Sequence, residues 1–385
     1  MAGYIVSLDS ERSLEMYTRS GMYATKMSTP SKSGWKIHHE GTWADYCTMQ
    51  PGDNIYFFIK RKIYGIGELV VIDGSCRLRN YPEANVPQPY AYDTVRSSLL
   101  WDESDSSVNQ RWVCFFKPAP AFFRKGIDMD DVLASNPSKF RMLRAFWKLS
   151  FVKIDDEENQ ALKDVILKSN EEYIGDESHN GKFSTRYEAE HQRVREHTAG
   201  SSEYSFSSEH ILSSCAEGDW LRHEMALEAG LLFQLSEREP NTVDVFGQWD
   251  YLSHQVVASP FKPIDYMDKM DVFGYAYVPG YRPTISRYLV AEIKKGTAGC
   301  GDIDQLLKYV DWVTSEYAFG NYSMIKAFLV AYEFPQEVIN HAVEKGRRNY
   351  TIGRRPARSD EWNALSLVKY AYNSDEDALS FQLVT

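Results

Sequence analysis

Three residues in the C-terminal half have types and spacing that suit chemistry on a phosphodiester. Asp271 begins a run of strand composition at 271–278, and Glu292 and Lys294 lie in a second such run at 288–294. Side chains alternate along a strand, so Glu292 and Lys294 share one face while Ile293 points into the core. Phosphodiester hydrolysis needs a hard cation and a positioned water. We expect Asp271, Glu292 and the carbonyl oxygen of Ile293 to bind Mg²⁺, for which Mn²⁺ would substitute, and Lys294 to orient the water.

A predicted helix at 219–235 adds a further acid to this set. Glu224 and Glu228 fall inside its apolar stripe, which consists of Trp220, Leu221, Leu227, Leu231 and Leu235. A carboxylate on a buried face is costly unless it is paired or binds a metal. Glu224 is the preferred metal-site acid and Glu228 the alternative. The choice of Asp271 is also open, because Asp265 and Asp268 lie close to it in the sequence.

A second helix is predicted after the two strands, opened by Gly299–Gly301 and capped by Asp302. Its apolar positions predict that Gln305, Lys308 and Tyr309 lie on another face and meet the substrate, with Gln305 close to the catalytic group. The basic stretch 337–358 adds further candidate DNA contacts, which are Arg347, Arg348, Arg354 and Arg355. No glycine-rich phosphate loop is found between a strand and a helix, which disfavours an NTPase.

The length suggests two or three domains, and the order of the predicted strands and helices predicts an α/β and β-barrel protein of two domains. The 385 residues are 43% hydrophobic, and the apolar runs are too short to cross a bilayer, so we expect a cytoplasmic protein. A net charge of -11 argues against indiscriminate coating of nucleic acid. Five scattered cysteines favour neither a disulfide framework nor a zinc site. The predicted divisions are a domain at 1–172, a linker with one polar helix at 173–212, and a second domain at 213–385.

The N-terminal stretch alternates short strands with turns. Pro51–Asp53 forms a turn before a predicted hairpin, whose strands at 54–59 and 63–70 are joined by a short basic bend. Gly65 and Gly67 inside the second strand predict a bulge or a tight corner. A later strand at 111–116 completes what we expect to be a small closed barrel with helices packed outside it.

Three sequences in this stretch resemble the EVE domains of the PUA-like superfamily: "PGDNIYFFIKRKIYGIGEL", "FFRKGIDMDDVL" and "FRMLRAFWKLSFVKIDDEE". The likeness covers about residues 1–170. It implies a domain that holds an extruded, often modified, base in an aromatic pocket. Trp43 is the first candidate for such a pocket because it lies in a polar, turn-rich segment, and Trp35 and Trp112 are the others.

The ordered residues Glu224, Asp271, Glu292, Lys294 and the "QLLKYV" helix resemble the PD-(D/E)xK nuclease superfamily, over about residues 215–335. That resemblance implies a restriction-endonuclease-like mixed sheet flanked by helices, carboxylate-bound Mg²⁺ and cleavage of DNA. One departure is that no proline precedes Asp271.

Together the two resemblances suggest an endonuclease for DNA that carries modified bases, with a role in restriction or anti-phage defence. A repair or structure-specific nuclease is the alternative enzyme, and a non-catalytic nucleic-acid reader on a nuclease-like scaffold is the alternative outside enzymes. Whether RNA is also a substrate stays open. Because double-strand cleavage usually needs two active centres, we expect a homodimer or a larger homo-oligomer. The strand-like tail after Asn363 would either extend the sheet or form that interface.

Overall fold

A computed structural model of the chain describes residues 1–30, 34–88, 90–145, 151–183, 186–258, 268–353 and 355–384. The chain divides into two compact units, Met1–Ser207 and Ser208–Thr385. Each unit contains a mixed sheet and helices, which confirms the α/β class. None of the helices in the described ranges has the length and apolar character needed to span a bilayer.

The N-terminal unit is built on one eight-stranded sheet. Its strands are β1 (Gly3–Ser7), β2 (Met22–Lys26), β3 (Asn54–Ile59), β4 (Lys62–Leu69), β5 (Arg77–Arg79), β6 (Gln110–Pro118), β7 (Ile127–Asp128) and β8 (Phe151–Ile154). The main order is β2-β6-β4-β3-β1-β8, with β5 beside β6 and β7 beside β4. Strands β1 and β3 run parallel, and the other pairings are antiparallel. Among the described strands this order ends at β2 and β8, so the unit contains a mixed, half-barrel sheet with helices and not the closed barrel expected from the sequence.

Seven helices lie in the described part of this unit: α1 (Glu11–Ser20), α2 (Ile37–Cys47), α3 (Tyr92–Val95), α4 (Met129–Ser135), α5 (Asp156–Ser169), α6 (Glu177–Asn180) and α7 (Tyr187–Thr198). Local signals explain the ends of the first. The Ser10 hydroxyl accepts a hydrogen bond from the Ser13 backbone at 3.2 Å, and Gly21 ends the helix with φ +62°. Helix α1 therefore begins and ends where its capping residues allow.

The hairpin predicted in this unit is confirmed. Strands β3 and β4 pair in antiparallel fashion around Lys60 and Arg61, which both adopt positive φ, as a two-residue hairpin turn requires. The register shifts between Ile55 and Phe57, opposite the segment that contains Gly65 and Gly67. A Cβ on Gly67 would approach the Ile55 side chain to 2.6 Å. The glycines thus mark the irregularity that the sequence predicted.

The segment predicted as a linker, 173–212, differs from that prediction. It contains α6 and α7, and most of it belongs to the N-terminal unit. The His191 ring nitrogen Nε2 donates to the Gly21 carbonyl at 2.9 Å, and Arg193 donates to the Leu100 carbonyl at 2.6 Å. Further along, Tyr204 donates to the Ser98 carbonyl at 3.0 Å. These bonds to distant parts of the unit are the physical reason why a polar, glycine-rich segment is folded here.

The C-terminal unit is built on a six-stranded mixed sheet of order β11-β12-β13-β14-β17-β18. Strands β13, β14 and β17 are parallel to one another, and the outer pairings are antiparallel. Two short antiparallel pairs, β9 with β10 and β15 with β16, accompany it. The strands are β9 (Ala216–Glu217), β10 (Trp220–Leu221), β11 (Tyr251–Val257), β12 (Lys269–Tyr277), β13 (Ile285–Thr297), β14 (Ile325–Glu333), β15 (Arg348–Ile352), β16 (Arg358–Trp362), β17 (Leu365–Asn373) and β18 (Ala378–Leu383).

The described helices of this unit are α8 (Glu224–Ser236), α9 (Pro240–Phe246), α10 (Cys300–Glu316) and α11 (Gln336–Lys345). The predicted start of α8 at Asp219 is wrong, because residues 220–221 pair as β10 and the Leu221 backbone donates to the Tyr370 hydroxyl at 3.2 Å. The predicted cap of α10 is also displaced. Gly299 is the N-cap, and Asp302 accepts from its backbone at 2.8 Å.

The C-terminal tail extends the sheet, which was one of the two predicted possibilities. Strand β17 pairs parallel to β14, and β18 pairs antiparallel to β17. The side-chain amide of Gln234 on α8 donates to the Leu379 carbonyl at 2.9 Å. The tail therefore completes the same layer that contains β12 and β13.

Candidate active site

Two neighbouring strands bring the predicted catalytic residues to one face of the C-terminal sheet. In the β12–β13 pair Val272 lies opposite Ala291, so Asp271 lies opposite Glu292 one step further along. The Asp271 carboxylate accepts a hydrogen bond from the Ile293 backbone at 2.8 Å, and Lys294 Nζ donates to Glu292 Oε1 at 2.7 Å. The Ile293 side chain is fully buried. The alternation expected from the sequence is confirmed, and both acids and the lysine lie side by side.

The Glu292 carboxylate is buried and the Asp271 carboxylate is partly buried, and removing such charges from water is costly. Glu292 is 1% exposed, and within the described ranges its Oε2 atom has no hydrogen-bond partner. Burial raises the pKa of Glu292 to about 7, although Lys294 acts in the opposite direction. Burial and the negative charges of Glu292 and Glu228 raise the pKa of Asp271 well above its usual range. A buried carboxylate oxygen without a described hydrogen-bond partner is suited to coordinate a cation.

Lys294 keeps its charge in this environment. Burial lowers its pKa, but the hydrogen bond and the charge of Glu292 outweigh that effect, with smaller contributions from Asp271 and Glu224, and the net shift is upward. The ammonium group is therefore available as a donor next to the acids rather than as a base.

Helix α8 adds two acids on one side of the site. Glu228 is buried, its Oε2 accepts from the Gln255 amide at 3.1 Å, and His254 Nδ1 lies 3.1 Å from its Oε1. The same Gln255 nitrogen lies 3.4 Å from an Asp271 oxygen, so this amide connects the two carboxylates. Glu224 lies one turn earlier on α8 and is exposed, and its negative charge raises the pKa of both Glu292 and Lys294. The structure thus brings both Glu224 and its alternative Glu228 to the site.

Gln255 was missed by the sequence analysis. Its backbone has φ +52°, which a residue other than glycine rarely adopts. The register between β11 and β12 is the same on both sides of this residue, since His254 pairs with Val272 and Val256 with Met270, and Gln255 lies between them opposite Asp271. Strained residues of this kind concentrate at functional sites. No pattern of residue types predicts a positive φ at a glutamine, so the sequence contains no signal that would identify Gln255 as a site residue.

Helix α10 contributes Gln305 and Tyr309, which lie one turn apart. The Gln305 amide donates to the Tyr309 hydroxyl at 2.8 Å. Tyr309 is 3% exposed, and burial together with the charge of Glu292 raises its pKa. Tyr309 is therefore a buried neighbour of the acids rather than the surface contact that was expected, whereas Lys308 is exposed.

The remaining aspartates and arginines are more dispersed. Asp268 is exposed, and Asp265 lies outside the described residues, so Asp271 is the described aspartate joined to β13. Arg348 donates to both oxygens of Asp311, at 2.9 and 3.2 Å, and Arg347 pairs with Glu361 at 3.5 Å. Arg355 is exposed, and Arg354 lies outside the described residues.

The donor types suit a hard divalent cation, because Glu224, Glu228, Asp271 and Glu292 supply four carboxylates and Lys294 pairs with Glu292. In the described ranges, no three of these carboxylates bring ligand oxygens within 4.8 Å of one another. Hard cations such as Mg²⁺ prefer oxygen ligands of this type, and a cation would relieve the mutual repulsion of the acids. The unused oxygen of Glu292 provides a ready ligand atom.

The three tryptophans proposed for base recognition are all buried. Trp35, Trp43 and Trp112 are 4%, 0% and 1% exposed. Trp43 lies in α2 and not in the turn-rich segment expected from the sequence, and its ring stacks on Phe206 at 5.8 Å. Trp35 and Trp112 both donate to Asn85, at 3.1 and 2.8 Å. In this conformation the three rings belong to an aromatic core.

A cavity of about 440 Å³ lies elsewhere in the N-terminal unit, beside α1 and α7. Its wall includes Trp101, which is 6% exposed and stacked on Tyr17 at 5.2 Å. Arg12, Glu103 and Arg193 also line it. The sequence around Trp101 forms no strand or helix pattern that would indicate such a position.

Comparison of the whole chain with protein-family models, with curated proteins and with solved structures found no match.

Proposed function

We propose that this chain is a Mg²⁺-dependent endonuclease that hydrolyses phosphodiester bonds in DNA. The observation that carries the proposal is the cluster of Asp271, Glu292 and Lys294 on adjacent strands, in which a buried carboxylate oxygen of Glu292 lacks a described partner. Buried acids packed against one another destabilise a fold, so their presence calls for a compensating role. Binding a divalent cation is the role that this donor set fits.

In this proposal Asp271, Glu292 and the Ile293 carbonyl hold the cation, with Glu224 or Glu228 completing the set. Mg²⁺ bound there, or Mn²⁺ in its place, would neutralise phosphate charge and acidify a water. Lys294 donates a hydrogen bond to the attacking water or to a phosphate oxygen, and the neighbouring Glu292 keeps it protonated. Gln255 orients Asp271 and Glu228. Gln305 orients Tyr309 next to the acids.

The family-level part of the proposal is a PD-(D/E)xK nuclease unit joined to an EVE or PUA-like unit. The strand order of the C-terminal unit supports the first, because an antiparallel pair carrying the acids continues into parallel strands with helices beside them. The mixed sheet with helices in the N-terminal unit is compatible with the second. We propose modified bases as its target and restriction or anti-phage defence as the role.

If a base is recognised in the N-terminal unit, the cavity beside Trp101 suits it better than the three buried tryptophans. Glu103 and Arg12 supply an acceptor and a donor for the edge of a base, and Trp101 supplies apolar surface. Replacing Glu103 with Gln should reduce the preference for modified over plain DNA. An unchanged preference would place base recognition elsewhere.

The primary experiment measures nicking of plasmid DNA with Mg²⁺ and with EDTA. Lys294→Met and Asp271→Asn should lower the rate at least about 100-fold while the protein stays folded. Lys369→Gln, an exposed change on β17, is the matched control and should cleave normally. Full activity of Lys294→Met would contradict the assigned chemistry.

The substrate panel for that assay separates the remaining hypotheses. Duplexes with and without 5-methylcytosine or hydroxymethylcytosine test whether cleavage depends on base modification. Branched or damaged duplexes test a repair function, and single-stranded RNA tests whether RNA is also a substrate. Binding without cleavage under every condition would favour a non-catalytic reader. A homodimer or higher homo-oligomer is expected for double-strand cleavage, and light scattering of the purified protein tests it.

A further inference from the structure

A second charged cavity of about 520 Å³ lies at the turn end of the β12–β13 hairpin. Among the described residues, its charged lining consists of three arginines, Arg238, Arg282 and Arg287, and one acid, Asp250. All four of these residues are exposed. In a chain with a net charge of -11, this excess of arginine makes the cavity a local site of positive potential.

The single acid of this cavity has a structural task. One carboxylate oxygen of Asp250 accepts a hydrogen bond from the Tyr277 backbone at 2.8 Å, and the Asp250 backbone donates to the Tyr275 carbonyl at 3.0 Å. These bonds extend the contact between the end of β12 and the chain that precedes β11. Asp250 therefore fixes the cavity wall through the hydrogen bond that its carboxylate accepts from the backbone.

Two of the arginines are oriented by aromatic rings. The Arg282 guanidinium lies 4.6 Å from the centre of the Tyr277 ring, and that of Arg287 lies 5.1 Å from the centre of Trp249. Arg287 also donates to the Gln248 carbonyl at 3.0 Å. A guanidinium stacked on a ring keeps N–H groups at its edge for an anion, and less side-chain entropy is lost when the anion binds.

We propose that this arginine cavity binds a backbone phosphate of the DNA at a distance from the bond that is cut. Guanidinium groups match phosphate oxygens in geometry and charge. The inference rests on the proposed function, because it takes the ligand to be the nucleic acid that the acidic site cleaves.

The position of the cavity sets the expected spacing. Asp271 and Tyr277 lie on the same strand, six residues apart. At about 3.3 Å per residue the two ends are separated by roughly 20 Å. A duplex advances about 3.4 Å per base pair, so the arginines should meet the backbone about six base pairs from the scissile bond.

The direct test is binding of a fluorescein-labelled duplex of about 20 base pairs in EDTA, which permits binding without cleavage. Arg238→Gln and Arg282→Gln should each weaken binding about fivefold, and the slope of log affinity against log salt should fall by about 0.9 for each lost phosphate contact. Lys369→Gln controls for a general loss of charge, and Arg282→Lys should retain part of the affinity. Unchanged affinity and slope in both glutamine variants would overturn the inference.

A length series and a competition experiment identify the source of the phosphate. The defect of the arginine variants should disappear for duplexes that end within about four base pairs of the cut, because such substrates do not reach the cavity. A defect that persists at every length would contradict the spacing. Inorganic phosphate or a mononucleotide that displaces the duplex only at high millimolar concentration supports a backbone phosphate. Tight, arginine-dependent binding of a mononucleotide would instead identify a separate nucleotide site and refute the proposal.

These results can be distinguished from failure of the nuclease proposal. Normal cleavage of short substrates with arginine-independent binding refutes only the phosphate contact. Arginine-dependent binding without Mg²⁺-dependent cleavage refutes only the nuclease assignment.

Discussion

Replacing Glu292 with Gln should stabilise the metal-free protein while it abolishes cleavage. The Glu292 carboxyl is 1% exposed, and burial raises its pKa from 4.5 to about 7. Such a rise corresponds to about 3 kcal/mol of destabilisation once the group is ionised in both the folded and the unfolded state. The Gln variant would also lose the charge-assisted part of the hydrogen bond from Lys294, which lowers the gain in stability by about 1 kcal/mol. The expected net stabilisation is therefore about 2 kcal/mol.

The sign of the pH dependence follows from the direction of the shift. Because the folded pKa of Glu292 lies above its unfolded value, its contribution to stability is fully present below pH 4.5 and is lost as the pH rises through about 7. The Gln variant lacks this loss. Its advantage over the natural protein should therefore grow as the pH is raised from about 5 to about 8.

The assay is urea unfolding of the C-terminal unit in EDTA at both pH values, with Lys369→Gln as the control variant. Adding Mg²⁺ should reverse the order, because an ion that binds only the folded natural protein stabilises it by mass action. A Gln variant that is less stable than the natural protein at high pH in EDTA would refute the argument that this carboxylate is buried at a cost.

Four further predictions follow from single contacts. Gln255→Gly should remove the amide bridge between Glu228 and Asp271 and lower the cleavage rate. The free energy of unfolding should change by no more than about 1 kcal/mol, because glycine accepts the φ of +52°. The nicking assay and urea unfolding test these two results, and an unfolded variant would contradict the second. Mg²⁺ should raise the melting temperature of the natural protein but not that of Asp271→Asn, measured by calorimetry. Gly274→Ala should destabilise the protein by about 2 kcal/mol, because its Cβ would lie 2.6 Å from the Tyr251 carbonyl oxygen on the neighbouring strand; unchanged urea unfolding would show that the strands can separate. The Nδ1 atom of His39 accepts a hydrogen bond from the Lys36 backbone, and burial lowers the pKa of His39 to about 4. The stability of the N-terminal unit should therefore fall as the pH drops from 6.5 through 4. In acid unfolding experiments, His39→Gln should make the stability depend less on pH.

The strands and the acidic site were largely predictable because their signals are local. Alternating side chains placed Glu292 and Lys294 on one face, and turn residues delimited the β3–β4 hairpin. The position of Asp271 beside Glu292 followed from pairing two successive strands. Such features depend on neighbours in the chain, so one sequence suffices to predict them.

Features that depend on distant contacts could not be predicted in this way. Trp43 was judged by its polar neighbours, whereas α2 turns His39, Glu40 and Trp43 together toward the interior. The bridging amide of Gln255 depends on a backbone conformation that residue type disfavours. The arginines of the second cavity come from different parts of the unit, and only folding brings them together.

The docking of α7 decides where the N-terminal unit should be cut for separate study. A fragment that stops at residue 172 would lack His191, which donates to the Gly21 carbonyl, and Arg193, which donates to the Leu100 carbonyl. Extending the fragment to Ser207 retains both bonds, together with the carbonyl that accepts from Asn85 at 2.9 Å. Truncation at the shorter boundary would remove the His191 ring, which packs edge-on against the buried Phe115 ring at 6.0 Å. Precipitation of that fragment would then report the missing helix rather than an unstable sheet.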